Sequence, residues 1–477
     1  MKKIITFLLI ACAVMVSCTK SGEEAQTQID PNKVQLTPDE VTSLSFYNAQ
    51  ELSDAEVIWL VAEFNNAQNK GRKTRSETSD YKINRKTYIN PEGEFSQKAV
   101  ATRAGNGSDE LTSPIVEVQF HNNNEKGLAF VSADARKPGI IAFIPKMGSE
   151  YTMKQSGAEE LLKISKASYL YELTKVKEIA DANRETMLAK INSKLGIPMQ
   201  EINYDKVKDK IELVDPVTRA TPVQRLPPGV NYDPDLTIDP KIKVNWGQEE
   251  PFNSMFYTKG DKLYGLVRKA SGDGYGYFPV GCVNVAIGQI LTFTKPLMSI
   301  PMGNISGYVN WEPMISNPTT SNPIHQGGAF NDLAYLLLYL YTINDTDSSA
   351  TDWQGYHYVS NVSEENMIKT MNRYFRFDPK RIFLNDPAWK ALRDNRVILG
   401  LTSDHAFIID GLLVANTVTQ TRQLVKEHDT YWHANFGWSD EYTGFYKVES
   451  DAHTHFEAGG QDFWETTLEY MNNIRGK

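Results

Sequence analysis

The sequence predicts an α+β protein whose 477 residues fall into two segments joined by a proline-rich linker. Three observations lead to this prediction. Helical and strand patterns occur in both halves of the chain, and prolines cluster between the halves. The second half also contains a series of short strand-like runs separated by turn signals, which is typical of an antiparallel sheet. A chain of this length can form two or more domains, each with a core of its own.

The composition is that of an ordinary soluble globular protein, with 41% hydrophobic and 23% charged residues. The formal net charge is −9, and the sequence contains no long basic patch. Binding of nucleic acid depends on clustered lysine and arginine, so this charge balance argues against a nucleic-acid partner.

The N-terminus has the features of an export signal. Lys2 and Lys3 precede the apolar run 4–16, so we predict a secretory signal peptide over residues 1–18. Its end, Met15-Val16-Ser17-Cys18, resembles a bacterial lipoprotein signal with Cys18 as the acylated residue; a plain secretion signal is the alternative.

We therefore expect the protein to be exported and lipid-anchored to the bacterial cell envelope, at the outer membrane, where it is surface-exposed or released after processing. No second apolar stretch approaches the roughly 20 residues of a membrane helix. The acyl group on Cys18 would then be the only membrane anchor.

A polar tether is predicted over 19–40, followed by a first domain over 41–215. A capping box, Ser53 with Glu56, marks a helix start. Residues 66–110 are polar and are predicted to form a loop. Alternating and continuous apolar runs then predict three strands and one long helix, at 115–120, 127–131, 140–144 and 158–191.

Residues 216–240 contain six prolines and are predicted to be an extended, exposed linker. Arg219 and Arg225 within it are candidate sites for proteolytic cutting, the alternative being a linker that is never cut. The second domain, 241–477, begins helical and ends in strands. Its predicted elements are helices at 330–341 and 363–375 and strands at 396–401, 405–411, 431–436 and 444–448.

The cysteine count draws attention to one thiol. The chain has Cys12, Cys18 and Cys282. Cys12 leaves with the signal peptide and Cys18 would carry lipid, so Cys282 would be the only free thiol of the mature protein. Disulfides are common in exported proteins, and a cysteine without a partner there is either a buried structural residue or a reactive one.

Cys282 follows Gly281 and precedes an apolar helical repeat, which predicts that it lies at a helix start. The helix dipole and unpaired N–H groups at that position favour an anion, so we expect a depressed thiol pKa and a nucleophilic sulfur.

A cysteine nucleophile needs a base, a group that orients the base, and donors for the oxyanion. His405 heads a predicted strand and Asn435 lies between aromatic residues, while Gln248 is an uncharged donor upstream of the thiol. His433 would share a strand face with Asn435 and is predicted to be structural. A pair formed by His453 and His455 lacks a third metal ligand, so neither metal nor other cofactor is expected.

The order Gln, Cys, His, Asn is that of papain-like cysteine peptidases, and the local sequences resemble the streptopain family of bacterial cysteine peptidases. The matching stretches in the second segment are 247–253, 281–283, 405–411 and 435–438. In the first segment, residues 127–134 with Pro138 resemble the inhibitory propeptide of that family.

The resemblance implies a papain-like peptidase of two subdomains, one helical and one an antiparallel sheet, preceded by an α+β inhibitory prodomain. It implies that Cys282 is the nucleophile and His405 the general base, that Asn435 orients His405, and that Gln248 supports the oxyanion together with the Cys282 N–H. The remaining implied roles are substrate contact by the backbone of Asp404 and a site wall formed by Trp438.

Asp404 departs from the pattern, since the family favours glycine before the histidine, and this puts substrate preference in doubt. The predicted activity is that of a cysteine endopeptidase made as a zymogen, acting on protein or peptide substrates. One alternative is a catalytically inactive, peptidase-like binding or inhibitor lipoprotein. A second is another acyl-transfer enzyme, such as a transglutaminase-like protein.

Overall fold

The fold comes from a computed structural model of the whole chain. It describes residues 30–47, 51–68, 78–91, 93–95, 111–122, 125–214, 217, 228–258, 267–268, 275–276, 278–301, 308–316, 329–347, 360–418, 428–450 and 467–477. The predicted signal peptide, Cys18 and the first half of the tether, residues 19–29, lie outside these residues. So do the candidate cutting sites Arg219 and Arg225, and the histidines at 453 and 455.

The described residues combine helices with a largely antiparallel sheet, as the predicted α+β class requires. The helices are α1 Pro38–Phe46, α2 Asp54–Gln68, α3 Glu150–Gln155, α4 Ala158–Leu195, α5 Tyr204–Val207, α6 Cys282–Thr294, α7 Trp311–Ser316, α8 Ala329–Ile343, α9 Glu364–Tyr374 and α10 Asn385–Arg393. The strands of the first part are β1 Val34–Leu36, β2 Thr78–Asn90, β3 Gly93–Phe95, β4 Ser113–Asn122, β5 Glu125–Ser132, β6 Gly139–Ile144 and β7 Ile211–Leu213. Those of the second part are β8 Gly229–Tyr232, β9 Val267–Arg268, β10 Tyr275–Gly276, β11 Phe375–Arg376, β12 Arg381–Ile382, β13 Val397–Leu401, β14 Ala406–Val418, β15 Asp429–Asn435, β16 Gly444–Lys447 and β17 Glu469–Gly476.

One sheet runs through both predicted segments. Its strand order is β11-β17-β13-β14-β15-β16-β6-β5-β4-β2-β3, with β8 paired to β14. The two segments meet where β16 pairs antiparallel with β6, with Phe445 opposite Phe143 and Tyr446 opposite Ala142. Backbone hydrogen bonds therefore join the first segment directly to the sheet that carries the predicted site residues.

Helices of the first segment contribute to the cores on this shared sheet. Helix α4 contributes Leu161 and Leu170 to a core that also contains Phe407 and Phe436 of the second segment. Helix α2 contributes Phe64 to a second core, together with Tyr431 and Phe445. Neither core belongs to one segment alone, so both hold the two segments together.

A buried cluster of charges also joins the segments. The Lys137 ammonium lies 3.0 Å from Glu172 and 3.2 Å from Asp429, and the Lys447 ammonium lies 2.7 Å from Glu172 and also contacts Asp429. Burial alone would raise the pKa of Asp429, but the two lysines outweigh it and lower that pKa. Each segment supplies one cation and one anion, and two of the four contacts, Lys137 with Asp429 and Lys447 with Glu172, join one segment to the other.

Glu449 lies beside this cluster. Burial, and then the neighbouring Glu172, raise the pKa of the Glu449 carboxyl to about 7. Its backbone N–H donates to the Ser168 hydroxyl on α4, and one of its carboxyl oxygens accepts from the Asn385 side chain. Glu449 thus links α4 to the second segment through both its backbone and its side chain.

A separate core forms the helical part of the second segment. Helix α6 is buried almost all round, with Val285, Ile287 and Leu291 inside, as expected for a helix that is apolar on every face. It packs against α8 and α9. This helical part next to the sheet confirms the predicted two-part, papain-like arrangement.

Most predicted elements are confirmed. The capping box forms as predicted, because the Ser53 N–H donates to Glu56 and the Glu56 N–H donates to the Ser53 hydroxyl. The predicted helices correspond to α2, α4, α8 and α9, and the predicted strands to β4, β5, β6, β13, β14, β15 and β16.

Two predictions were wrong in part. Residues 66–110 were expected to be a loop, but Thr78–Asn90 is a long strand paired with β4. Its polar side chains fit a strand because many of them are exposed. The linker over 216–240 was expected to be exposed, but its second half begins with β8, where Val230 is buried. The structure of β8 depends on its contacts with β14 and α2, which are remote in sequence.

Candidate active site

Cys282 is the first residue of helix α6, as the sequence predicted. Gly281 before it has φ of 89°, a conformation that favours glycine. A Cβ at position 281 would lie 2.7 Å from the Ser360 carbonyl oxygen, so the chain also passes too close for a side chain. The glycine therefore lets the chain turn into the helix and present the thiol at its N-terminal end.

The fold brings Cys282 and His405 together although 122 positions separate them in the sequence. The N–H of Ala406, the residue after His405, donates to the Cys282 sulfur at 3.5 Å. His405 is buried, and Asp404 before it is exposed. The proximity that a thiol–imidazole pair requires is thus present.

The thiol itself differs from the prediction. Burial is the largest influence and raises the pKa of Cys282, with the Asp404 carboxylate acting in the same direction. The N–H groups of Ala406, Val283 and Cys282 lower it, but burial prevails. The depressed pKa expected from the helix start is therefore wrong for the intact chain, because the site is covered and the thiolate would lose its water.

The imidazole of His405 and the side chain of Asn435 both hydrogen-bond to backbone groups. His405 Nε2 lies 3.1 Å from the Phe436 carbonyl oxygen, which assigns the proton to that nitrogen. The Asn435 side chain accepts from the Gly437 N–H at 3.1 Å and donates to the Val244 carbonyl at 3.4 Å. That Asn435 orients His405 stays a prediction.

The first segment lies against His405. A Cβ added at Gly157, the residue before α4, would lie 2.7 Å from His405 Cβ, and Gly157 has φ of 74°. We call the turn 402–405 the histidine loop. In it, two residues before His405, the Ser403 hydroxyl donates to the Glu160 carboxylate at 2.6 Å. The beginning of α4 thus packs directly on the loop that carries His405.

The other predicted site residues surround this centre. Gln248 is buried. Its backbone carbonyl accepts from the N–H of Val280, the residue before Gly281 and Cys282, at 2.9 Å. Trp438 is partly buried and packs against the core to which α4 contributes. The structure therefore brings Gln248 close to the nucleophile along the chain, and places Trp438 at the junction with the first segment.

Sequence reasoning missed a polar network beneath the nucleophile. The Asn284 side chain is fully buried and donates to the Val280 carbonyl at 2.7 Å and to the Thr346 hydroxyl at 3.0 Å. It also accepts from the Asn344 amide at 2.6 Å. The available signal was an asparagine in an otherwise apolar helix, since buried amides need partners.

The described residues contain no group of three or more potential metal ligands. Among the same residues, no helix combines the length and the apolarity that crossing a bilayer requires.

A thiol at a helix start, a buried histidine beside it, and a helical part joined to an antiparallel sheet define a papain-like cysteine peptidase. Residues 246–446 match the family model described as the Peptidase C10 family. This part of the chain therefore belongs to that family, the streptopain family, as the sequence motifs predicted.

Two solved structures that the comparison matched to this chain are both from Prevotella intermedia. A prointerpain A fragment has 15% sequence identity and a TM-score of 0.41, and the match covers 76% of this chain and 96% of that one. The active interpain A cysteine protease has 16% identity and a TM-score of 0.32, with coverage of 53% and 100%. A search of curated proteins gave no match.

The raised thiol pKa leads to a prediction. Iodoacetamide reacts with the thiolate, so the alkylation rate of Cys282 in the intact chain should reach its midpoint above pH 8.5, about the pKa of a free cysteine. The substitution Asp404→Asn should move this midpoint down, because it removes a negative charge that raises the pKa. Mass spectrometry of alkylated protein across a pH series measures both.

Asp235→Asn is the matched control, since Asp235 is also exposed and lies in a turn of another loop. It should leave the midpoint where it is. An unchanged midpoint in Asp404→Asn would show that this carboxylate has no influence on the thiol.

Proposed function

We propose that the protein is a cysteine endopeptidase made as a zymogen, exported and anchored by lipid at Cys18. One observation carries the proposal of a zymogen peptidase: the start of α4 packs on the loop of His405, next to the thiol of a Peptidase C10 domain. In this proposal residues 41–215 are the inhibitory prodomain, 216–240 contain the activation site, and 241–477 form the peptidase domain.

The proposed reaction follows from the residues at the centre. The Cys282 thiolate attacks the scissile carbonyl, with its proton on His405, and the Cys282 N–H and Gln248 donate to the oxyanion. The C–N bond then breaks, His405 gives its proton to the leaving amine, and a thioester remains. Water activated by His405 attacks the thioester, which releases the acid and restores the thiol. Asn435 orients the imidazole in the uncovered enzyme.

The zymogen part of the proposal is supported by the covered geometry. His405 is bonded to the Phe436 carbonyl, and the amide of Asn435 to Val244 and Gly437. Removal of the prodomain would take Gly157 and Glu160 away from the histidine loop. Water and substrate would then have access to the histidine loop and the sulfur.

The proposal of a lipid anchor rests on the sequence around Cys18. Protein isolated from membranes of the producing bacterium should begin at Cys18, and mass spectrometry of the N-terminal peptide should show a mass increased by acyl chains. Cys18→Ser should move the protein from the membrane to the soluble fraction. An unmodified N-terminus and unchanged partitioning of Cys18→Ser would instead indicate a plain secretion signal.

Peptidase activity is tested at the nucleophile. After limited proteolysis has opened the linker, the protein should hydrolyse casein, and Cys282→Ala should lower the rate by at least about 1,000-fold, because the acyl-enzyme cannot form. Iodoacetamide should block the same activity. Processed protein that retains an unreactive thiol and cleaves nothing would favour the inactive binding or inhibitor protein. Amine incorporation without hydrolysis would favour the acyl-transfer alternative.

Prodomain inhibition is tested at α4. Glu160→Ala removes the hydrogen bond to Ser403, and a bond to a charged group contributes about 1.5–3 kcal/mol when buried. Since this site is partly exposed, we expect Cys282 of the intact chain to alkylate about 3- to 10-fold faster.

Glu159→Ala is the matched control, because Glu159 is the adjacent residue and pairs with Lys163 on its own helix. It should leave the alkylation rate as in the original chain. Equal rates for both variants would remove the contact with Ser403 from the explanation of inhibition.

A further inference from the structure

One chain segment contacts the elements that carry the proposed catalytic residues. We define it as the crossing segment, residues 238–248. At its start, Ile238 exchanges two backbone hydrogen bonds with Leu412, of 2.7 and 2.8 Å. It then passes over Gly411, where a Cβ would lie 2.9 Å from the Pro240 nitrogen. The segment therefore crosses in contact with β14, the strand that follows His405.

The far half of the crossing segment reaches the other site residues. The Val244 carbonyl accepts from Asn435 and from Gln289 on α6, both at 3.4 Å. The Gln248 carbonyl accepts from the Val280 N–H at 2.9 Å, two residues before Cys282. A shift of this segment would therefore displace Gln248, which belongs to it. It would also change the contacts of Asn435 and of helix α6, which begins at the nucleophile.

A buried carboxylate holds the middle of the crossing segment against the sheet. Asp410 on β14 is fully buried. One of its oxygens accepts from the Ile242 N–H at 2.7 Å, and the other lies 2.6 Å from His433 Nδ1 on β15. The Lys241 N–H donates to the Asp410 carbonyl at 3.2 Å. The carboxylate thus joins three chain segments, which carry or lead to His405, Asn435 and Gln248.

We propose that Asp410, paired with His433, is a positioning residue that holds Asn435 and Gln248 in register with Cys282 and His405. The inference rests on the proposed function, since it assigns a role in that reaction. Asp410 touches neither substrate nor sulfur and acts through the crossing segment. Its chemistry fits the role, because a carboxylate offers two acceptors, one for a backbone N–H and one for an imidazole N–H.

This chemistry makes the Asp410→Asn variant informative. An amide has one acceptor, so if its oxygen keeps the Ile242 N–H, its NH₂ group faces His433 Nδ1. That contact is favourable only while Nδ1 carries no proton. In the original chain Nδ1 donates to the Asp410 carboxylate, and in the variant the same N–H would place two donors against each other and displace the crossing segment.

The experiment compares casein or peptide hydrolysis by full-length chains after the same limited proteolysis. For Asp410→Asn we expect kcat to fall about 10- to 100-fold, with KM changed less than about threefold, because a displacement of about 1 Å in the site can cost 100-fold.

The double variant Asp410→Asn with His433→Gln should recover part of the kcat loss, since glutamine supplies an oxygen that can accept from the introduced amide. Asn416→Ala is the matched control: Asn416 is a buried residue of the same strand and contacts His428, away from the crossing segment. It should keep the kcat and KM of the original chain.

A structural role alone would give a different result. Asp410→Asn would then lower the melting temperature or the yield, while the folded enzyme kept its kcat and KM, and the proposal would be wrong. Absence of hydrolysis and of Cys282 alkylation in the original processed chain would overturn the proposed function instead. Should Asp410→Asn not fold, His433→Gln alone provides the test, with a kcat loss of about threefold or more expected and an unchanged kcat contradicting the proposal.

Discussion

The pairing of β16 with β6 is the constraint on which the rest of the structure depends. It continues the sheet of the peptidase domain into the first segment, so that strands remote in sequence share one register. Once this register is set, the position of α4 on the sheet follows, because α4 packs on both β6 and β16. The start of α4 then meets the histidine loop. The covered site is thus a consequence of strand pairing at some distance from the thiol.

This architecture makes separation of the segments costly. It would expose Tyr431 and Phe445 on the sheet, whose burial contributes about 1.5–3 kcal/mol for each large apolar side chain. It would also leave Lys447 and Asp429 of the peptidase domain without Lys137 and Glu172. A buried ion cluster that loses half its members is destabilised, because the remaining charges have fewer partners. The same contacts that build the fold therefore keep the site covered.

The sequence predicted local features well and long-range ones poorly. The helix start at Cys282 and the capping box at Ser53 depend on neighbouring residues, so both could be read from the sequence. The strand Thr78–Asn90 could not, since its polar residues become strand-like only through pairing with β4. The same is true of β8, which depends on β14.

The candidate site shows the same division. The residue types at 282, 405, 435 and 248 and their order indicated a cysteine peptidase. Their contacts in the intact chain did not follow, because Gly157 and Glu160 lie more than 240 positions before the loop they cover. The network around Asn284 and the role of Asp410 were equally hidden, since their partners come from other segments of the chain.

Two opposing effects act on the pKa of Cys282: the helix start lowers it and burial raises it, so their magnitudes decide the direction of the shift. A helix N-terminus stabilises an anion by about 0.3–1 kcal/mol, and up to about 2 kcal/mol in favourable partly buried geometry. Full burial can shift a pKa by about 3–5 units, and each unit corresponds to about 1.4 kcal/mol. Burial therefore prevails in this structure, and the pKa of the thiol is raised. The helix start can be read from the residues around Cys282. The apolar core against which its side chain packs comes from distant parts of the chain, so the effect that decides the pKa is not visible in the local sequence.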